Sequence, residues 1–138
     1  MRGVAAGVAC VLLLLAALHM YWVVRGVGTG AGVPSRVDGT PAMRPGRMAS
    51  LAVTLALTLA ATLVLSRADV LQVAWPKQVP RIGTWGVATA FAARTVGEFH
   101  YVGLFKRVRD TPFGRWDTRL YTPLCAALAI GCAVVAAS

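Results

Sequence analysis

A chain of 138 residues that is 57% hydrophobic and 14% charged, with mean hydropathy +0.66, does not have the composition of an ordinary water-soluble domain. Its net charge of +9 would suggest nucleic acid as the partner of a soluble protein. Here the basic residues flank apolar runs, where they suit anionic lipid headgroups and topology control, so nucleic acid is excluded as a partner class.

With about 20 apolar residues needed per crossing, the chain has room for four crossings and for no additional soluble domain. The expected fold class is all-α membrane: four transmembrane helices in an antiparallel bundle, over residues 4–24, 48–66, 82–104 and 119–137, forming a single integral membrane domain over residues 1–138. The first run is uncharged up to Arg25 and would reach about 31 Å as a helix, enough to span. It is too long for a signal-peptide core, and no small-residue cleavage site follows it. His19, Tyr21 and Trp22 occupy its last two turns. Tyrosine and tryptophan at a span end suit the interfacial belt; His19 lies deeper and shares a face with Trp22, which makes both candidates for a pocket.

Residues 26–46 form a long Gly/Pro loop in which no helix or buried strand is expected and which can fold over the bundle. Its Gly26-Val-Gly28-Thr-Gly30-Ala31 run lacks the third glycine of a dinucleotide loop and follows a membrane helix in place of a strand. The second span places Ser50, Thr54, Thr58, Thr62 and Ser66 at intervals of four, a face expected to pack, supported by Ala52, Ala56 and Ala60. Residues 67–81, with Asp69, Trp75, Pro76 and Pro80, read as an interfacial connector.

The third span carries the most informative stretch, Arg94-Thr-Val-Gly-Glu98-Phe-His100-Tyr101. An ionisable side chain at the centre of a bilayer costs at least about 2.5 kcal/mol, so it persists where it is paired or functional. Four residues apart on a helix, Arg94 and Glu98 can meet as an ion pair, or can serve a site that also handles a ligand or proton. At about 100° per residue Tyr101 joins their stripe, while Gly86, Ala90, Ala93 and Gly97 form an adjacent strip suited to close helix approach. The following segment, from Lys106 to Arg119, is rich in arginine and aromatics and is expected on the membrane surface. The fourth span is expected to start between Asp117 and Tyr121, with Pro123 in its first turn or kinking it. Asp117 and Tyr121, again four apart, can face the bundle together.

Four blocks carry a resemblance: His19-x-Tyr21-Trp22; Arg44-Pro45-Gly46; Gly97-Glu98-Phe-His-Tyr101-Val-Gly103-Leu-Phe-Lys106; and Asp117-Thr-Arg119-Leu-Tyr121-Thr-Pro123-Leu-Cys125. Together they resemble a family of small bacterial four-helix membrane proteins catalogued as a domain of unknown function, and the resemblance covers nearly the whole chain. It implies the fold and imports no activity.

No metal-ligand set, phosphate loop or Cys-x-x-Cys redox pair is present in the sequence, so no metal and no cofactor is expected. Cys125 and Cys132 lie about 10 Å apart along one helix, too far to bond to each other, although Cys10 could match Cys132 in depth. Two function classes fit. One is a binding, carrier or accessory protein that uses a polar intramembrane cluster of His19, Trp22, Arg94, Glu98, Tyr101, Asp117 and Tyr121. The other is a membrane enzyme acting on a lipid or isoprenoid by acid-base chemistry of Glu98 and His19. The partners expected are membrane lipids and a lipid-like small-molecule ligand, with oligomerisation left open.

Arg25, Arg36, Arg44, Arg47, Lys106, Arg107, Arg109, Arg115 and Arg119 fall in the loops after spans one and three, against Arg2, Arg67, Lys77 and Arg81 on the other side. The positive-inside rule then predicts a multi-pass inner (plasma) membrane protein with both termini outside. His19 would lie about 9 Å, and Glu98 about 12 Å, from the same cytoplasmic side, which predicts a polar pocket there.

Overall fold

The computed structural model describes residues 1–27 and 32–138; the glycine-run reading of residues 28–31 lies outside them. Four helices make up the described fold: α1 (Arg2–Arg25), α2 (Arg47–Arg67), α3 (Gln78–Val96) and α4 (Pro112–Ala137). Of these, α1, α2 and α4 are long and apolar enough to cross a membrane, whereas α3 has 19 residues and carries Arg81 and Arg94. Outward-facing aliphatics are abundant, with Leu14 and Ile130 each 66% exposed and Leu55 62%. Such surfaces would drive aggregation in water and are what a hydrocarbon solvent wants.

The closest helix pairings are α1 with α2 and α3 with α4, with α2 also against α3 and α1 against α4. Ala5, Val8, Ala9, Leu12, Ala60, Ala61, Val64, Leu128, Cys132 and Val135 form the core. It is built largely from small side chains, because between helices in lipid the attraction is contact packing, which rewards backbones that come close. At Gly131 an added Cβ would sit 2.7 Å from the Val8 side chain, and at Gly83 2.8 Å from that of Leu63, so both glycines set the helix spacing.

Several sequence expectations are corrected. The third helix was expected over residues 82–104; it starts at Gln78 and stops at Val96, where Gly97 turns left-handed with φ +84°. Pro80 falls in its first turn, where a missing N–H leaves no bond unmade. The packed face of α3 is not the Gly86, Ala90, Ala93 strip, which is exposed, but Gly83, Thr84, Val87, Ala88 and Phe91. On α2, Ser50 and Thr54 are buried, but Thr58 is exposed, and Thr54, Thr58 and Thr62 each donate to the carbonyl four residues back. Only Thr54 among these also reaches across, to the Ala16 carbonyl at 3.5 Å.

The fourth helix begins at Pro112, earlier than expected, with Thr111 capping it by accepting from the Gly114 N–H at 3.0 Å. Residues Asp117–Tyr121 form a π turn whose wider ring ends with the Thr122 N–H donating to the Asp117 carbonyl. This insertion carries the helix past Pro123, which has no N–H to give, without ending it. Cys10 is exposed and Cys132 buried, and all three cysteines are free.

The described part of the long loop contains no helix, in accord with its glycine and proline content. Residues 34–42 make a small hairpin-like turn with one bridge, Ser35 to Pro41, and Val33 and Ser35 are buried. Hydrogen bonds from the Thr40 side chain and backbone hold the Asp38 carboxyl below the usual carboxylate range.

Candidate functional site

The feature that organises the polar end of the fold is Asp117. It faces inward on the π turn and is completely buried, a placement that needs compensating charge and a full set of donors. Its Oδ1 accepts from Arg94 at 2.6 Å. Its Oδ2 accepts from Lys106 Nζ at 2.9 Å, the Gly103 N–H at 3.0 Å and the Thr122 hydroxyl at 3.1 Å. Lys106, which by sequence reads as one of a run of surface charges, is buried to 3% exposure and also donates to the Gly103 carbonyl.

These contacts fold residues 97–111 back onto α4. Gly97 and Gly103 are both left-handed, and a Cβ at either would strike the backbone of the other strand of the turn: at Gly97 it would overlap the Val102 carbonyl, and at Gly103 it would lie 2.5 Å from both the Gly97 Cα and the Val96 carbonyl oxygen. The turn is also tied by Leu104 N–H to the Thr95 carbonyl and by Arg107 and Val108 N–H to that of His100. Phe99 takes a left-handed φ of 67°, which costs a side-chain-bearing residue about 1–2 kcal/mol and persists because the surrounding bonds fix it.

The predicted Arg94–Glu98 ion pair is not formed. Glu98 lies beyond the end of α3, is exposed, and accepts from the N–H groups of Tyr101 and Val102. The helix ends between the two residues, so the spacing of four no longer places them on one face, and Arg94 turns to Asp117. Tyr101 likewise leaves the stripe and packs edge-on against the exposed His100 ring.

Between the helices lies a cavity of about 320 Å³, to which every helix contributes. His19 and Trp22 of α1, Arg94 of α3, and Tyr121 and Cys125 of α4 supply its polar lining. Leu15, Leu18, Val53, Leu57, Phe91 and Leu124 supply most of its apolar wall. Of the sequence candidates, His19, Trp22, Arg94 and Tyr121 thus meet around one space, Asp117 stands behind Arg94, and Glu98 and Tyr101 do not line it. His19 is oriented from within its own helix, where Nδ1 donates to the Leu15 carbonyl at 2.8 Å. The Trp22 ring packs edge-on to it at 4.8 Å between centroids. The Tyr121 ring packs tilted against that of Phe113, with 5.8 Å between centroids.

A smaller space of about 150 Å³ adjoins it, sharing His19, Trp22 and Val53 and covered by Gly32, Pro34, Met43 and Pro45 of the long loop. A larger groove of about 690 Å³ lies at the other end of α2 and α3, but its polar lining comes from one stretch, residues 75–78, so no groups remote in sequence converge there. Among the described residues no group of three or more His, Cys, Asp or Glu could hold a metal.

A family profile described as "Protein of unknown function (DUF3995)" matches residues 12–132, which include every helix-borne residue of the cavity. No curated protein and no solved structure matches the chain.

Proposed function

We propose that this chain, which belongs to the DUF3995 family of proteins of unknown function, crosses a bacterial inner membrane four times as an antiparallel bundle and binds a lipid-like small molecule between its helices. The observation that carries this reading is the cavity of about 320 Å³, apolar for most of its wall and polar where His19, Arg94 and Tyr121 converge. A concave apolar site with a few convergent polar groups is the usual form of a small-molecule site, and this volume falls at the lower end of its range. The shortness of α3 fits a fourth crossing that ends early because Arg94 is drawn to Asp117 and the chain folds back toward the interface. The roles that follow are those of a binding, carrier or accessory protein. An enzyme using Glu98 and His19 as an acid-base pair gains no support, since Glu98 lies outside the cavity that His19 lines.

Mass spectrometry of small molecules that co-purify in a neutral detergent tests the reading. A lipid-like species is expected with the native chain and is expected to be lost from Leu57→Phe and Val53→Phe, which fill the cavity. Retention of the same species by both folded variants would refute it. The proposal extends to orientation: by the positive-inside rule the arginine-rich loops after α1 and α3 lie in the cytoplasm and both termini outside. A periplasm-active reporter fused at the C-terminus is expected to be active, and activity of a cytoplasm-specific reporter alone would reverse that orientation.

A further inference from the structure

The charges at the cavity do not balance within the chain. Two cations, Arg94 and Lys106, meet one carboxylate, Asp117, whose two oxygens already accept four donors. Lys106 is enclosed, with 2% of its side chain exposed, while Arg94 keeps 31% and lines the cavity. Arg94 meets Asp117 through one terminal nitrogen, Nη2; the other, Nη1, is buried without a hydrogen-bond partner. A guanidinium is a planar fork of five N–H donors suited to bidentate capture of an oxyanion, and a net positive charge away from water is costly until an anion joins it. The chain has no further anion to offer there. Its other acidic residues are Asp38, Asp69, Glu98 and Asp110, and none lines the cavity.

We infer that the cavity selects a single-chain amphiphile with an oxyanion head, a carboxylate or a phosphate monoester, and that Arg94 is the residue that recognises the head. This rests on the reading of the cavity as a lipid-like ligand site. The oxyanion meets the accessible edge of the guanidinium. The hydrocarbon chain lies along Leu15, Leu18, Val53, Leu57, Phe91 and Leu124. A volume of about 320 Å³ suits one chain and not the paired chains of a membrane phospholipid. Asp117 takes no direct part. It anchors one end of the guanidinium and, because Lys106 also neutralises it, leaves the charge of Arg94 available.

Trp22 lines the cavity and, with Trp75, Trp85 and Trp116 replaced by phenylalanine in every protein compared, supplies the readout. Brominated C18 probes that quench tryptophan fluorescence are titrated into the protein in a neutral detergent: the fatty acid, the alkyl phosphate and the uncharged alcohol. Binding of the acid, the phosphate or both at least tenfold tighter than the alcohol is expected, and their ratio tells which head the site prefers. In Arg94→Gln that preference is expected to fall to that of the alcohol, with Arg94→Lys retaining part of it. Equal binding of acid, phosphate and alcohol by the native protein would overturn the inference about the head while leaving the cavity reading intact. Quenching that is unchanged in Leu57→Phe, or absent for all three probes, would overturn the cavity reading itself. The comparison among the three probes needs no cavity variant to fold.

Discussion

Replacing Asp117 with asparagine should be the most damaging single change within the trio of Arg94, Lys106 and Asp117, and the reason lies in charge counting. The native trio carries one excess positive charge; Asp117→Asn leaves two cations facing a neutral amide, one of them with 2% of its side chain exposed. Breaking a buried ion pair by removing one partner costs about 3–5 kcal/mol. Arg94 is partly exposed and screened on that side, which argues for the lower half of the range. Lys106→Met, in contrast, leaves a balanced Arg94–Asp117 pair and removes two hydrogen bonds, a loss of about 1–3 kcal/mol. The double variant should be less stable than native by much less than the two losses added, because the stranded ammonium is gone. Thermal unfolding in detergent, read by circular dichroism, should show Asp117→Asn melting on the order of 10 °C below native, with Lys106→Met between them. Strict additivity in the double-mutant cycle, or a larger loss from Lys106→Met than from Asp117→Asn, would refute the trio as a coupled unit.

Gly103→Ala should cost more than about 3 kcal/mol, because the left-handed backbone alone disfavours alanine by about 1–2 kcal/mol and its Cβ would lie 2.5 Å from the Gly97 Cα. Gly86→Ala, in an open helical position with nothing within 4 Å, should instead stabilise by about 0.5–1 kcal/mol; the two melting curves shifting in the same direction would sink the argument. Glu98→Ala should lose about 1 kcal/mol, for two hydrogen bonds to exposed backbone, and should leave binding of the brominated acid unchanged. A loss comparable to that of Asp117→Asn would restore the Arg94–Glu98 ion pair that the structure rejects.

Three of the four helices are legible in the sequence because apolar length is a local property: residues 4–24, 48–66 and 119–137 fall inside α1, α2 and α4. The end of α3 is not, because an otherwise apolar segment interrupted by Glu98 and His100 continues to Phe105 while the backbone turns at Gly97. A glycine in an apolar run reads equally as helix packing or helix stop, and the choice here is made by the Gly103 N–H and Lys106 reaching Asp117. Spacing rules name partners three or four residues away. The real partner of Arg94 is 23 residues away on another helix, and the local candidate, Glu98, is spent on the turn. Lys106 was hidden by its company, since it stands beside Arg107 and near Arg109, which are exposed. Its one distinguishing mark is the block it shares with Gly97 and Gly103, the two glycines that fold it inward.

This arrangement makes Arg94 the joint between fold and cavity. One terminal nitrogen closes the bond from α3 to Asp117 of α4, and the same side chain forms part of the cavity wall. Asp117 anchors one end of the guanidinium at the cavity, and Lys106, which shares Asp117, dictates how much of its charge is left uncompensated. A ligand oxyanion and Asp117 would then sit on the same cation, so Asp117 positions the guanidinium for the oxyanion while repelling it through its charge. Lys106 offsets that repulsion, which gives a buried lysine on a loop a reason to be there that packing alone does not supply. Lys106→Met should therefore weaken oxyanion binding although its ammonium contacts Asp117 and Gly103 and does not line the cavity. The alcohol probe, which carries no charge, should bind the variant as it binds the native protein. An equal loss for acid and alcohol would mean that Lys106 supports only the shape of the site.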